Sequence, residues 1–94
     1  MTSELATFMV KVTGRVQGVG YRAWVKKKAK NFELLGWVMN SDDKSVIMEI
    51  SGKKKKIKMF LIECYKGPIF SNVLDVIAKK ASFKFFESFD IRFK

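Results

Sequence analysis

Residues 7–22 read TFMVKVTGRVQGVGYR, and this stretch decides the fold. In TFMVKV the apolar Phe8, Val10 and Val12 alternate with more polar positions, the period of a strand buried on one face. Glycines at 14, 18 and 20 follow, marking backbone that turns tightly or comes close to something. From Arg22 to about Leu34 the period changes: Tyr21, Val25, Ala29 and Phe32 recur every three to four residues, and most of the lysines fall between them. A strand, a glycine-rich loop and an amphipathic helix therefore open the domain.

Working outward, Gly36 reads as the helix stop, GWVMN as a short second strand and VIMEIS as a third, joined through SDDKS in a hairpin whose turn lies near Asp43 and Lys44. The run KKKKIKMFLIECYK places Ile57, Phe60, Leu61 and Cys64 on one helical stripe, which Gly67-Pro68 ends. SNVLDVIAKK predicts a fourth strand. SFKFFESFDIRFK predicts a last one, with Phe83, Phe85, Phe89, Ile91 and Phe93 on one side. Helices with one apolar stripe each, and strands with one apolar face, fit together if both helices cover the same side of a mostly antiparallel five-stranded sheet. The expected fold is an α+β, ferredoxin-like βαββαβ sandwich, a single domain over residues 1–94 with residues 1–5 as a mobile tail.

Nine Phe and two Trp within a chain that is 48% hydrophobic give enough apolar surface for one core without metals or disulfides. A lone cysteine forms no internal bridge, and there is neither a secretory signal nor an apolar run long enough to span a bilayer. The cytoplasm is the expected compartment, and no membrane is expected as a partner. A formal charge of +10 points to an anionic partner without saying which kind.

Histidine is absent, which removes phosphohistidine intermediates, histidine bases and the commonest metal ligand. Cys64 lacks the arginine six residues on that cysteine phosphatases need, since position 70 is Phe, and reads as a core residue. Asp42 and Asp43 lack the D-x-D spacing of aspartyl-phosphate enzymes and read as turn residues. GRVQGVGYR is different, because successive backbone N–H groups between a strand and a helix can wrap a phosphate. Arg22, in the first helical turn, opposes the helix dipole, so an anion nearby would offset its cost.

The segment VTGRVQGVGYR, from Val12 to Arg22, resembles the phosphate-loop signature of the acylphosphatase family. Gly36, Trp37, Val38, Asn40, Val46 and Gly52 resemble that family's hairpin motif, and Gly67, Pro68 and Val73 its later segment. The likeness runs from about residue 8 to the end. Three positions depart from it: Tyr21 replaces the usual Phe, Ser71 a common Ala, and Lys44 the usual turn Gly. The resemblance implies metal-independent hydrolysis of the carboxyl–phosphate bond of acyl phosphates, with no cofactor. Arg22 and Asn40 would be the catalytic residues, and Arg15, Val16, Gln17, Gly18, Val19, Gly20, Tyr21 and Arg22 would bind the substrate's phosphate. Arg22 would hold the phosphoryl group and Asn40 would position the attacking water. Inorganic phosphate or sulfate would bind as product or mimic to a monomer.

The bland reading of each residue is a solvated Arg22, a strand-end Asn40 and a loop Gln17, with Tyr21 and Trp37 as packing residues and the lysine runs as solvated faces. Two alternatives remain at this stage. A basic nucleic-acid-binding module shares the topology, although VIMEIS lacks the aromatics such a module stacks on bases. A catalytically silent domain of the same fold is the other.

Overall fold

The computed structural model describes residues 4–93. Its elements run β1 (Leu5–Arg15), α1 (Tyr21–Asn31), β2 (Leu35–Asn40), β3 (Val46–Lys53), α2 (Lys54–Lys66), β4 (Asn72–Ala81) and β5 (Phe89–Ile91). The sheet order is β4-β1-β3-β2-β5. All pairs are antiparallel except β2 with β5, which is parallel, so the sheet is mixed.

The alternation in β1 sets the register. Val10 stands opposite Met48, which stands opposite Val38 on its other side, and all three are buried in one row across three strands. A one-residue slip would turn every such side chain to the other face, so this row specifies the pairing. Val25 and Ala29 of α1 and Ile57, Phe60 and Cys64 of α2 close over it in the same core. Both helices therefore share one face of the sheet, as their single stripes required.

Three expectations need correction. Residues 1–3 lie outside the described residues, but Glu4 and Leu5 are not a tail: Leu5 pairs with Lys53, and the Glu4 carbonyl accepts from Lys54 N–H at 2.8 Å. Nor does Gly36 stop α1. The helix ends at Asn31; Glu33 turns left-handed at φ 60, its N–H donates to Lys30 O at 3.0 Å, and Leu34 N–H donates to Ala29 O at 2.8 Å. This pair of bonds is a Schellman cap with Glu where Gly is usual. Gly36 instead lies inside β2 at φ 142, where a Cβ would come within 1.8 Å of the Glu49 carbonyl oxygen.

The third correction concerns SFKFFESFDIRFK. Only Phe89–Ile91 is strand; Phe83, Phe85 and Phe93 are exposed, and Lys94 lies outside the described residues. The reason is topological. β4 is one edge of the sheet and β5 the other, so residues 82–88 must cross the sheet between them. Lys84 is pinned on the way, its N–H donating to Thr7 Oγ1 at 2.9 Å and its carbonyl accepting from Ser51 Oγ at 2.7 Å. Those bonds satisfy two buried hydroxyls and use up the backbone groups a regular strand would need.

Candidate active site

Asn40, at the end of β2, stands opposite Val46, which stands opposite Val12 near the end of β1. The glycine-rich loop that leaves β1 therefore emerges beside the β2–β3 turn. Gly18 and Gly20 both adopt left-handed backbone, at φ 73 and 80, and Gly20 is the residue before α1. The first amides of a helix have no partner within it, so the loop delivers donors and the positive end of the dipole to one place. No acidic residue occupies the first turn of α1 to offset Arg22.

Gln17 ties the loop to the turn. Its Nε2 donates to the carbonyls of Ser41 at 2.8 Å and Ser45 at 2.9 Å, bridging segments more than twenty residues apart in sequence. The turn is itself braced: Asp43 Oδ1 accepts from Ser45 N–H at 3.0 Å and from Ser45 Oγ, and Lys11 Nζ lies 2.7 Å from Asp43 Oδ2. The Lys11 contact, with the Ser45 donors, holds the Asp43 carboxyl well below the usual carboxylate range. Lys44 takes the left-handed turn position at φ 72, despite the Cβ that makes Gly the usual choice there.

Arg22 and Asn40 meet in a cleft of about 410 Å³, which Gln17, Ser41, Asp42, Arg92 and Phe93 also line. Beside it, Gly18, Gly20 and Ala23 form a recess of about 170 Å³ that shares Arg22 and Phe93 with the cleft. The Arg22 guanidinium rests 5.0 Å from the centre of the Phe93 ring. Asn40 Oδ1 is the one buried side-chain nitrogen or oxygen without a hydrogen-bond partner among the described residues. Leaving such an acceptor unpaired costs about 1–3 kcal/mol, a cost a ligand or water donor could relieve.

The remaining sequence-predicted residues take less direct places. Val16 and Tyr21 are buried and Val19 packs against the core, so only their backbone is available to a ligand. Tyr21 is an anchor whose hydroxyl donates to Cys64 O at 2.7 Å. Arg15 is exposed at the end of β1. Burial pushes the Cys64 thiol up to about 12, which keeps it protonated and unreactive. Among the described residues no three His, Cys, Asp or Glu side chains converge as metal ligands would.

Arg92 and Phe93 were not expected at the site. They reach it because β5 runs parallel to β2: Val38 pairs with Ile91, and Arg92 N–H donates to Val38 O at 2.8 Å, which carries the next residues toward Asn40. Their only sequence signal was a place at the end of the last alternating segment, and alternation does not reveal strand direction. Trp37 stays structural, its Nε1 donating to Glu49 Oε1 at 3.0 Å while Arg92 stacks 5.0 Å over its ring.

Fold and cleft together define a class, the small α+β sandwiches with a glycine-rich loop that opens a helix beside a strand-end cleft. Comparison narrows it. A family model described as Acylphosphatase matches residues 8–91. The chain is 39% identical over 82 residues to an acylphosphatase of Rhizobium meliloti (strain 1021), covering 87% of this chain and 86% of that one. It is 41% identical over 73 residues to an acylphosphatase of Clostridium acetobutylicum, covering 78% and 80%. The crystal structure of acylphosphatase from Bacillus subtilis superimposes with a TM-score of 0.91 at 33% identity, over 96% of this chain and 100% of that one. The chain belongs to the acylphosphatase family.

Proposed function

We infer that this chain hydrolyses the carboxyl–phosphate bond of small acyl phosphates, releasing a carboxylate and inorganic phosphate, as its family membership supports. The phosphoryl group binds at residues 15–22, where loop amides and the first turn of α1 surround its oxygens and the Arg22 fork takes two of them. Asn40 orients a water for in-line attack on phosphorus. The carboxylate leaves without much general-acid help, so a site lacking histidine suffices.

The observation that carries this reading is the meeting of Arg22 and Asn40 across one cleft, with the Asn40 acceptor unsatisfied. Amides and a guanidinium can stabilise the charge that a metal ion handles elsewhere, and this chain's donor set supports a metal-independent reaction. Phosphate and sulfate bind the same cradle as competitive ligands. One domain acts as a monomer in the cytoplasm.

Benzoyl phosphate hydrolysis in excess EDTA tests the reading. Turnover should persist, with competitive inhibition by phosphate; loss on chelation, restored by Mg²⁺ or Zn²⁺, would overturn the mechanism.

A further inference from the structure

Helix α2 buries Ile57, Phe60 and Cys64 under the sheet, yet its opposite face mixes apolar side chains with lysines. Met59, Ile62 and Tyr65, at intervals of three residues, form a second apolar stripe facing solvent. In the loop that follows the helix, Ile69 and Phe70 are 89% and 73% exposed, and Leu74 at the start of β4 is exposed as well. Exposed Lys55, Lys58 and Lys66 lie along the helix. The periodicity of the core stripe masks this second one, because both occupy the same thirteen residues. Several large apolar side chains exposed on one helix face and the loop after it are uncommon on a protein that meets only water, and point to an interaction site.

Three occupants can be weighed. A strand added to the β4 edge would need the outward groups of Val76, but its N–H donates to Asp75 Oδ1 at 2.9 Å and its carbonyl accepts from Tyr65 Oη at 3.2 Å. That edge is blocked at Val76, in the middle of β4. A second copy would bring the same lysines face to face, each chain carrying +10. An anionic bilayer surface meets both features, attracting the lysines and accepting the apolar side chains.

We propose that the outer face of α2 and the Ile69–Phe70 tip form a peripheral docking surface for anionic lipid bilayers. Ile69 and Phe70 enter the headgroup–acyl boundary, Met59 and Ile62 lie along it, and Lys55, Lys58 and Lys66 meet lipid phosphates. Lys66 shares its charge with Glu63, 3.2 Å away, so Lys55 and Lys58 carry more of the attraction. The sequence reading expected no membrane partner because it looked for a spanning segment. No helix among the described residues is long and apolar enough to span, and surface docking needs none. Arg22 and Asn40 take no part, so docking and turnover are separable.

The test is cosedimentation at near-physiological salt with phosphatidylcholine vesicles, alone and with one-third phosphatidylserine. Wild-type protein should bind only the anionic vesicles. An Ile69→Ser/Phe70→Ser pair and, separately, a Lys55→Glu/Lys58→Glu pair should each weaken binding about ten-fold or more, with melting temperature and benzoyl phosphate turnover unchanged. Three results would each overturn the proposal. One is no binding to anionic vesicles. Another is binding that the serine pair leaves intact, which would mean diffuse charge attraction alone. The last is a concentration-dependent dimer that the serine pair dissolves, which would make this face an interface between copies.

Discussion

Asn40→Ala separates binding from chemistry. The perturbation removes the side chain whose Oδ1 is buried without a partner, so the variant loses no protein hydrogen bond to that oxygen. Asn40 ends β2 opposite Val46 and lines an open cleft, so truncation leaves little enclosed void. The expected change in stability is therefore within about 1 kcal/mol, and its sign can favour the variant, because an unpaired buried acceptor has gone. Turnover should behave differently. A positioned polar group acting on the reacting atoms is typically worth on the order of a hundred-fold in rate, about 3 kcal/mol. In the proposed site phosphate is held by the loop and Arg22, so its inhibition constant should move by no more than about two-fold, about 0.4 kcal/mol. A thermal melt, a phosphate inhibition constant and benzoyl phosphate turnover, measured on one preparation, make the test complete. Near-normal turnover in a folded variant would refute the role in positioning water. A loss of phosphate binding in proportion to turnover would make Asn40 a ligand-holding residue instead.

Arg22→Lys keeps the charge but not the planar fork, so phosphate inhibition should weaken about ten-fold or more while the melt stays put; unchanged kinetics would remove Arg22 from the site. Gln17→Ala cuts both bonds to the Ser41 and Ser45 carbonyls and should cost about 1–3 kcal/mol in chemical denaturation, with a fall in turnover as loop and turn separate. Gly36→Ala forces a Cβ to 1.8 Å from a backbone oxygen at a positive φ, so destabilisation should exceed about 3 kcal/mol or folding should fail; soluble protein with a wild-type melt would contradict the geometry. The folded Asp43 carboxyl is depressed, so its contribution is complete above the unfolded carboxylate range and is lost as pH falls toward the folded value. Asp43→Asn should therefore flatten part of the acid limb of stability against pH, modestly because the group is half-exposed; an unaltered limb would discount the Lys11 and Ser45 contacts.

What the sequence disclosed and what it hid follow from the range of each signal. Alternation in residues 7–12 and the helical stripe at Ile57, Phe60 and Cys64 are local patterns set by burial, and both survive in the structure. The loop was legible from its glycines between a strand and a helix, whereas Asn40 stood out only through the family resemblance. The Schellman cap at Glu33 was not, because a glutamate carries no signal for left-handed backbone and Gly36 nearby supplied a stronger false one. Phe83 and Phe85 alternate as a strand would, yet the crossing from one sheet edge to the other overrides local period. Arg92 and Phe93 depend on β5 being parallel, a tertiary fact with no counterpart in spacing. Gln17 was seen as part of the loop, but its role as a tether requires knowing that the β2–β3 turn lies beside it.

Among the described residues local rules are broken both beside the cleft and away from it, and the two sets differ in kind. A cation in the first turn of α1, an unpaired buried oxygen on Asn40 and a left-handed lysine at 44 all lie in or beside the cleft. Each is unfavourable alone, and a bound phosphoryl group with its water would relieve the first two. The third sits in the turn that Gln17 grips through the neighbouring Ser41 and Ser45 carbonyls, so its strain belongs to the support of the same site. Glu33 and the lysines that open α2 lie elsewhere: Glu33 strains the backbone at the far end of α1, where the cap bonds to Lys30 and Ala29 account for it by local geometry, and Lys54, Lys55 and Lys56 crowd the first turn of α2 with no acidic residue beside them. A cation at a helix start therefore does not mark the cleft by itself, since α2 has three; what sets the cleft apart is that Arg22 lines it together with the unpaired Asn40 acceptor, so one bound phosphoryl group and its water would relieve both.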